Sequence, residues 1–146
     1  MKIEMKSSVS SSTKPPVENV ILLVEDDADL RQIVQWILED EGFMVETVGD
    51  GKEALDRAVA KKPSLVLLDM ALPIIDGYGV AAGLHQVYGD AVAIIVMTAD
   101  GYAAEKARDI GALGYVSKPF DLDTLVNTVR AALERGHGGR NELGPY

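Results

Sequence analysis

With 146 residues the chain suits one domain, and 47% apolar with 25% charged content suits a globular fold around one packed core. The formal net charge of −9, without a cluster of Lys or Arg, argues against a protein that grips a nucleic-acid backbone, and the lack of cysteine excludes a disulfide framework or a thiolate metal site. The longest apolar run, Ala91 to Met97, falls far short of the roughly 20 residues a membrane span needs, so a cytoplasmic protein is expected.

Residues 1–18 carry lysines and serines but no apolar centre of the signal-peptide kind, and read as a flexible N-terminal arm. The first apolar run, Val20 to Val24, then predicts a strand, and three acids follow it directly: Glu25, Asp26 and Asp27. Leu30, Ile33, Val34, Ile37 and Leu38 repeat at helical spacing and stop before Gly42, a natural C-terminal cap. Trp36 lies opposite that stripe, on the face of Asp29 and Gln32.

A second strand is expected at Met44 to Val48 and a short helix near residues 51–61. The third strand, Leu65 to Leu68, is an unbroken apolar run of the kind buried on both faces, yet it delivers a carboxylate, Asp69, to its tip. The helix near 78–88 contains Gly79 and Gly83; each costs about 1 kcal/mol against alanine, so this helix must lean on tertiary packing. Asp76-Gly77 reads as a turn and not as a catalytic acid. The fourth strand, Val92 to Met97, ends at Thr98, and a helix near 101–110 follows. Gly114 to Val116 is the fifth strand and runs into Lys118-Pro119; Asp121 then caps a helix marked by Leu122, Leu125, Val126, Val129 and Leu133. Residues 137–146 are glycine-rich and read as a flexible tail, which leaves 19–136 as the domain.

Five alternations of strand and helix predict a doubly wound α/β domain, a five-stranded parallel sheet with helices on both faces. Ligands of such sheets gather beyond the carboxyl ends of the strands. There the sequence supplies the acids after the first strand, Asp69 after the third, Thr98 after the fourth and Lys118 after the fifth. Crowded carboxylates repel one another unless a cation intervenes, and hard oxygen ligands suit Mg²⁺, or Mn²⁺. A divalent ion and a lysine together can offset the charge of a phosphoryl group, with Asp69 as its nucleophilic acceptor, Thr98 as a hydrogen-bond donor and Lys118 as a counter-charge. The run Gly77-Tyr-Gly-Val-Ala-Ala-Gly83 is not a dinucleotide loop, because such a loop should follow the first strand directly, and that strand ends instead in three acids that would repel a bare phosphate.

The combination of Glu25-Asp26-Asp27, Asp69 to Gly77, Thr98-Ala99, Tyr115 and Lys118-Pro119 resembles the receiver domain of two-component response regulators over roughly residues 19–136. The resemblance implies a flavodoxin-like (βα)5 fold, Asp69 as phosphoacceptor, and Mg²⁺ held directly by Asp27 and Asp69, by Asp26 through a water, and by the backbone carbonyl of Ala71. It also implies Thr98 as the switch hydroxyl, Tyr115 as the aromatic that follows it, Lys118 as the phosphate-pairing cation, and a Lys118-Pro119 bond that is often cis. Tyr115 also has a plainer reading, as a strand aromatic packed on the sheet. Ala71 and Asp100, two residues beyond the acceptor and the switch threonine, are the positions through which the family tunes loss of the phosphoryl group.

The implied function is a stand-alone, single-domain response regulator. It would take a phosphoryl group from a histidine kinase or histidine phosphotransfer protein, then relay it or expose a surface to a protein target. Such a domain is an acceptor that assists only its own phosphorylation and dephosphorylation, not an enzyme with a separate substrate. It is expected to be a monomer or weak dimer that touches neither nucleic acid nor membrane. Trp36 and Gln32 would border the kinase-docking face, aromatics being enriched at interfaces; a lone Trp partly covered by its neighbours is the plainer alternative. The competing function is a degenerate receiver, a divalent-ion-binding interaction module without phosphotransfer.

Overall fold

The computed structural model describes residues 20–135; the expected arm at 1–18 and tail at 137–146 lie outside the described residues. The elements alternate as β1 (Val20–Val24), α1 (Ala28–Asp40), β2 (Met44–Val48), α2 (Gly51–Ala60), β3 (Leu65–Asp69), α3 (Gly77–Tyr88), β4 (Ala93–Thr98), α4 (Ala103–Ile110), β5 (Gly114–Ser117) and α5 (Leu122–Glu134). The strands form one parallel sheet in the order β2-β1-β3-β4-β5. This is the expected doubly wound α/β fold, with β3 at the centre of the sheet.

Strand pleating divides the core in two. Leu22, Val24, Val66, Leu68, Ile94 and Val96 point to one face and pack with Ala54, Ala58, Val80, Leu84 and Ile110 of α2, α3 and α4. Ile21, Leu23, Leu65, Leu67, Ile95 and Met97 point to the other and pack with Val34 and Leu38 of α1 and Leu125, Val129 and Leu133 of α5. Both faces are covered, which is why β1, β3 and β4 read as unbroken apolar runs.

Four helices begin with an aspartate whose side chain accepts from a first-turn N–H: Asp27, Asp50, Asp76 and Asp121. Asp76 is therefore the cap that starts α3. Helix α4 starts at Ala103, later than the sequence suggests. Gly101 sits at φ 85°, and Asp100 turns back to accept from the Tyr102 N–H at 2.8 Å, so the chain is still turning where helix was expected. The buried stripe of α1 is also narrower than its periodicity implies: Val34 and Leu38 are buried, whereas Ile33 is half exposed. Asp69 and Thr98 prove to be the last residues of their strands, Asp69 lying in register with Met97.

Candidate functional site

The apolar pleat of β1 and β3 decides which acids meet. Residues 21, 23 and 25 share one side of β1, and 65, 67 and 69 share the same side of β3, so Glu25 and Asp69 are delivered to one crevice above the α1/α5 layer. Both are buried, with Glu25 1% and Asp69 4% exposed, as is Thr98 at the end of the neighbouring strand. The carboxylates of Glu25, Asp26 and Asp69 each place an oxygen within 4.8 Å of the other two.

Asp27, expected as a direct metal ligand, is not among them. Its Oδ1 accepts from the N–H groups of Asp29 at 3.0 Å and Leu30 at 3.1 Å, closing the first turn of α1. Free N–H groups at a helix start bind a carboxylate strongly, and the residue just before the helix is the one that meets them. Glu25 takes the place in the cluster instead. The signal was present in the sequence, because Glu25 continues the inward parity of the first strand and Asp27 precedes the first helical residue.

Lys118 joins the cluster from beyond β5. Its Nζ lies 2.7 Å from Glu25 Oε1 and 3.2 Å from Asp69 Oδ2, donating to both. The second oxygen of each acid is also occupied: Glu25 Oε2 accepts from the Asp27 N–H at 3.1 Å and Asp69 Oδ1 from the Ala71 N–H at 3.0 Å. Burial pushes the Glu25 carboxyl above its ordinary value, and the hydrogen bond from Lys118 only partly counters this. Burial also acts to lower Lys118, but its hydrogen bond to Glu25 and the charge of Asp69 outweigh that and hold the ammonium above its ordinary value. The Lys118-Pro119 peptide is cis.

The remaining expected residues are more dispersed. The Thr98 main-chain carbonyl accepts from the Lys118 N–H at 2.9 Å, which locks the ends of β4 and β5 together. Tyr115 pairs with Val96 in the ladder and is half exposed. Asp100 is held below the usual carboxylate range, first by its hydrogen bond from Lys106 and then by the Tyr102 N–H. Trp36 is 62% exposed, and Gln32 beside it is exposed too, so the first helix does present an aromatic to solvent.

Chemically, the donor set suits a divalent cation. Three carboxylates converge with one ammonium between two of them, which leaves an excess of negative charge among hard oxygens. Among the described residues no helix is long and apolar enough to cross a membrane.

The chain is similar to known proteins. The response regulator ArlR of Staphylococcus aureus is 35% identical over 115 residues, 79% of this chain and 52% of that protein, so the chain spans about half the length of the curated relatives it matches. The chemotaxis protein CheY4 of Vibrio cholerae superposes with a TM-score of 0.72 at 28% identity, covering 80% of this chain and 99% of that one. The receiver domain of the sensor histidine kinase PA1611 from Pseudomonas aeruginosa, solved with a magnesium ion in its active-site cleft, gives 0.74 at 27% identity, covering 81% and 99%. The family model for the response regulator receiver domain matches residues 21–130, and the chain belongs to that family.

Proposed function

We propose that the domain is a phosphoacceptor switch in which Asp69 takes a phosphoryl group from the phosphohistidine of a kinase or phosphotransfer protein. The reading rests on one observation above all: a buried Asp69 held at a strand tip between Lys118 and two further acids. In the transfer an Asp69 carboxylate oxygen attacks phosphorus, and the donor's P–N bond breaks as the new P–O bond forms. The imidazole leaves with the electron pair of that bond.

Magnesium, or manganese in its place, would be held by Glu25, Asp26 and Asp69, with the Ala71 carbonyl as a further oxygen donor, and would neutralise charge on the transferring group. Lys118, already in contact with Asp69, pairs with a phosphoryl oxygen once the group arrives. Thr98, beside Asp69 at the end of the adjacent strand, donates its hydroxyl to another. Tyr115 responds to the repositioned Thr98, and the altered surface around α4, β5 and α5 is the output presented to a protein target. Partner docking uses the exposed face of α1 that carries Gln32 and Trp36. A cytoplasmic location fits the same reading.

Two donors test this together. Incubation with acetyl phosphate and Mg²⁺ is expected to add the mass of one phosphoryl group to the wild type and nothing to Asp69→Asn. Trp36→Ala is expected to accept from acetyl phosphate at the wild-type rate but more slowly from a phosphorylated histidine phosphotransfer protein. An unshifted wild-type mass would instead support an interaction module that binds a cation without phosphotransfer.

A further inference from the structure

Arg31, on the second turn of α1 and partly buried, sends its guanidinium back toward the acid cluster. Its Nη1 donates to the main-chain carbonyl of Glu25 at 2.7 Å. On the other side of the same residue, the Glu25 N–H donates to the Val48 carbonyl at the end of β2, at 3.2 Å. The Glu25 backbone is thus tied at both its polar groups, once by the sheet and once by Arg31. Room for the guanidinium comes from Gly49, where a Cβ would lie 3.2 Å from Nη1.

The turn between Glu25 and Arg31 contains Asp26. Its neighbours are all fastened: the Asp27 N–H to Glu25 Oε2, the Asp27 carboxylate to the helix start, and the Asp27 carbonyl to the Arg31 N–H at 2.9 Å. The backbone that carries Asp26 is thus held on both sides. Arg31 donates to the turn twice, through its side chain to Glu25 and through its main chain to Asp27.

We propose that Arg31 is a positioning residue for the divalent-cation site, holding the β1–α1 turn so that Glu25 and Asp26 converge on Asp69. This rests on the cation-site reading of those three acids. The proposal carries a sign that a simple charge effect reverses. A guanidinium near a cation site repels the cation, so removing it for charge reasons alone strengthens binding. Removing a hydrogen bond that aims the ligands weakens binding, commonly by tenfold or more for outer-shell partners.

The experiment is a Mn²⁺ titration, with free ion followed by electron paramagnetic resonance, on the wild type, Arg31→Ala, Arg31→Lys and Asp26→Asn at one pH and salt concentration. Thermal unfolding in metal-free buffer runs alongside. Asp26→Asn is expected to lose most of the binding, which tests the cation reading by itself. Arg31→Ala is expected to bind about tenfold more weakly, and Arg31→Lys, which keeps the charge but not the forked donors, to fall between. Affinity in Arg31→Ala equal to or tighter than the wild type overturns the proposal, as does a lowered thermal midpoint with unchanged affinity, the mark of a role confined to anchoring α1. If Arg31→Ala shows no cooperative unfolding, Arg31→Lys decides on the same criterion. A wild type that binds no Mn²⁺ removes the cation reading and the proposal with it.

Discussion

Asp26 and Asp27 are adjacent, acidic and exposed, yet only one of them reaches the crevice. The difference is where the helix begins. A carboxylate at the N-cap is held by two main-chain N–H groups and by the positive end of the helix, worth about 1 kcal/mol, and is not free to turn toward Asp69. Asp27→Ala is therefore expected to lower stability in urea by about 1 kcal/mol while leaving Mn²⁺ affinity within about twofold of the wild type. A tenfold loss of affinity in that variant would return Asp27 to the metal site. The placement of Asp69 and Thr98 was legible in the sequence because each sits directly at the end of an apolar run, and that of Lys118 because it follows the fifth strand. Glu25 was harder to see, since choosing among three consecutive acids needs the strand's parity and the helix start taken together.

At the scale of elements, the strands and the long helices α1 and α5 were legible from period alone, whereas α3 shows what period cannot show. Its glycines are explained by side chains outside the helix, one from α2 and one from the loop just before α3. A Cβ on Gly83 would come within 2.6 Å of Leu55 Cδ2 on α2, and one on Gly79 within 2.5 Å of Ile75 Cγ2. The start of α2 is tighter still, with a Cβ on Gly51 falling 1.9 Å from the Ile75 carbonyl oxygen. The obstacles differ in kind. Leu55 can change rotamer, and alanine is the better helix former by about 1 kcal/mol, so Gly83→Ala is expected to change stability by less than about 1 kcal/mol. A carbonyl in the β3–α3 loop cannot move without the loop, so Gly51→Ala is expected to cost about 3 kcal/mol or more. Equilibrium unfolding in urea of the two variants side by side checks the contrast; equal costs would mean that the loop yields as easily as a side chain.

Across the whole molecule, the edge opposite the crevice carries its own tie. His85 of α3 places Nε2 2.8 Å from the Ile110 carbonyl at the end of α4 and Nδ1 3.0 Å from the Gly89 carbonyl at the end of its own helix. Only the imidazolium can donate to both. The hydrogen bond to Ile110, then that to Gly89, hold its pKa above the ordinary value, with Asp90 contributing less. Because the folded value is the higher one, the stabilisation is fully present below about pH 6.5 and is lost as pH rises through the folded pKa. The thermal midpoint is expected to fall as pH rises above about 6.5, and His85→Gln to flatten that slope. A slope unchanged by the substitution would assign the pH dependence to other groups.

At the other edge, Lys118 follows the outermost strand, and its ammonium passes over the end of β4 to acids on β3 and β1, the latter 93 residues away in sequence. One side chain thus arches across four of the five strands. A group taken up by Asp69 would come to lie beside that ammonium, which directly follows the short strand bearing the half-exposed Tyr115. The rim of the sheet is in this way tied through one side chain to the acid at its centre.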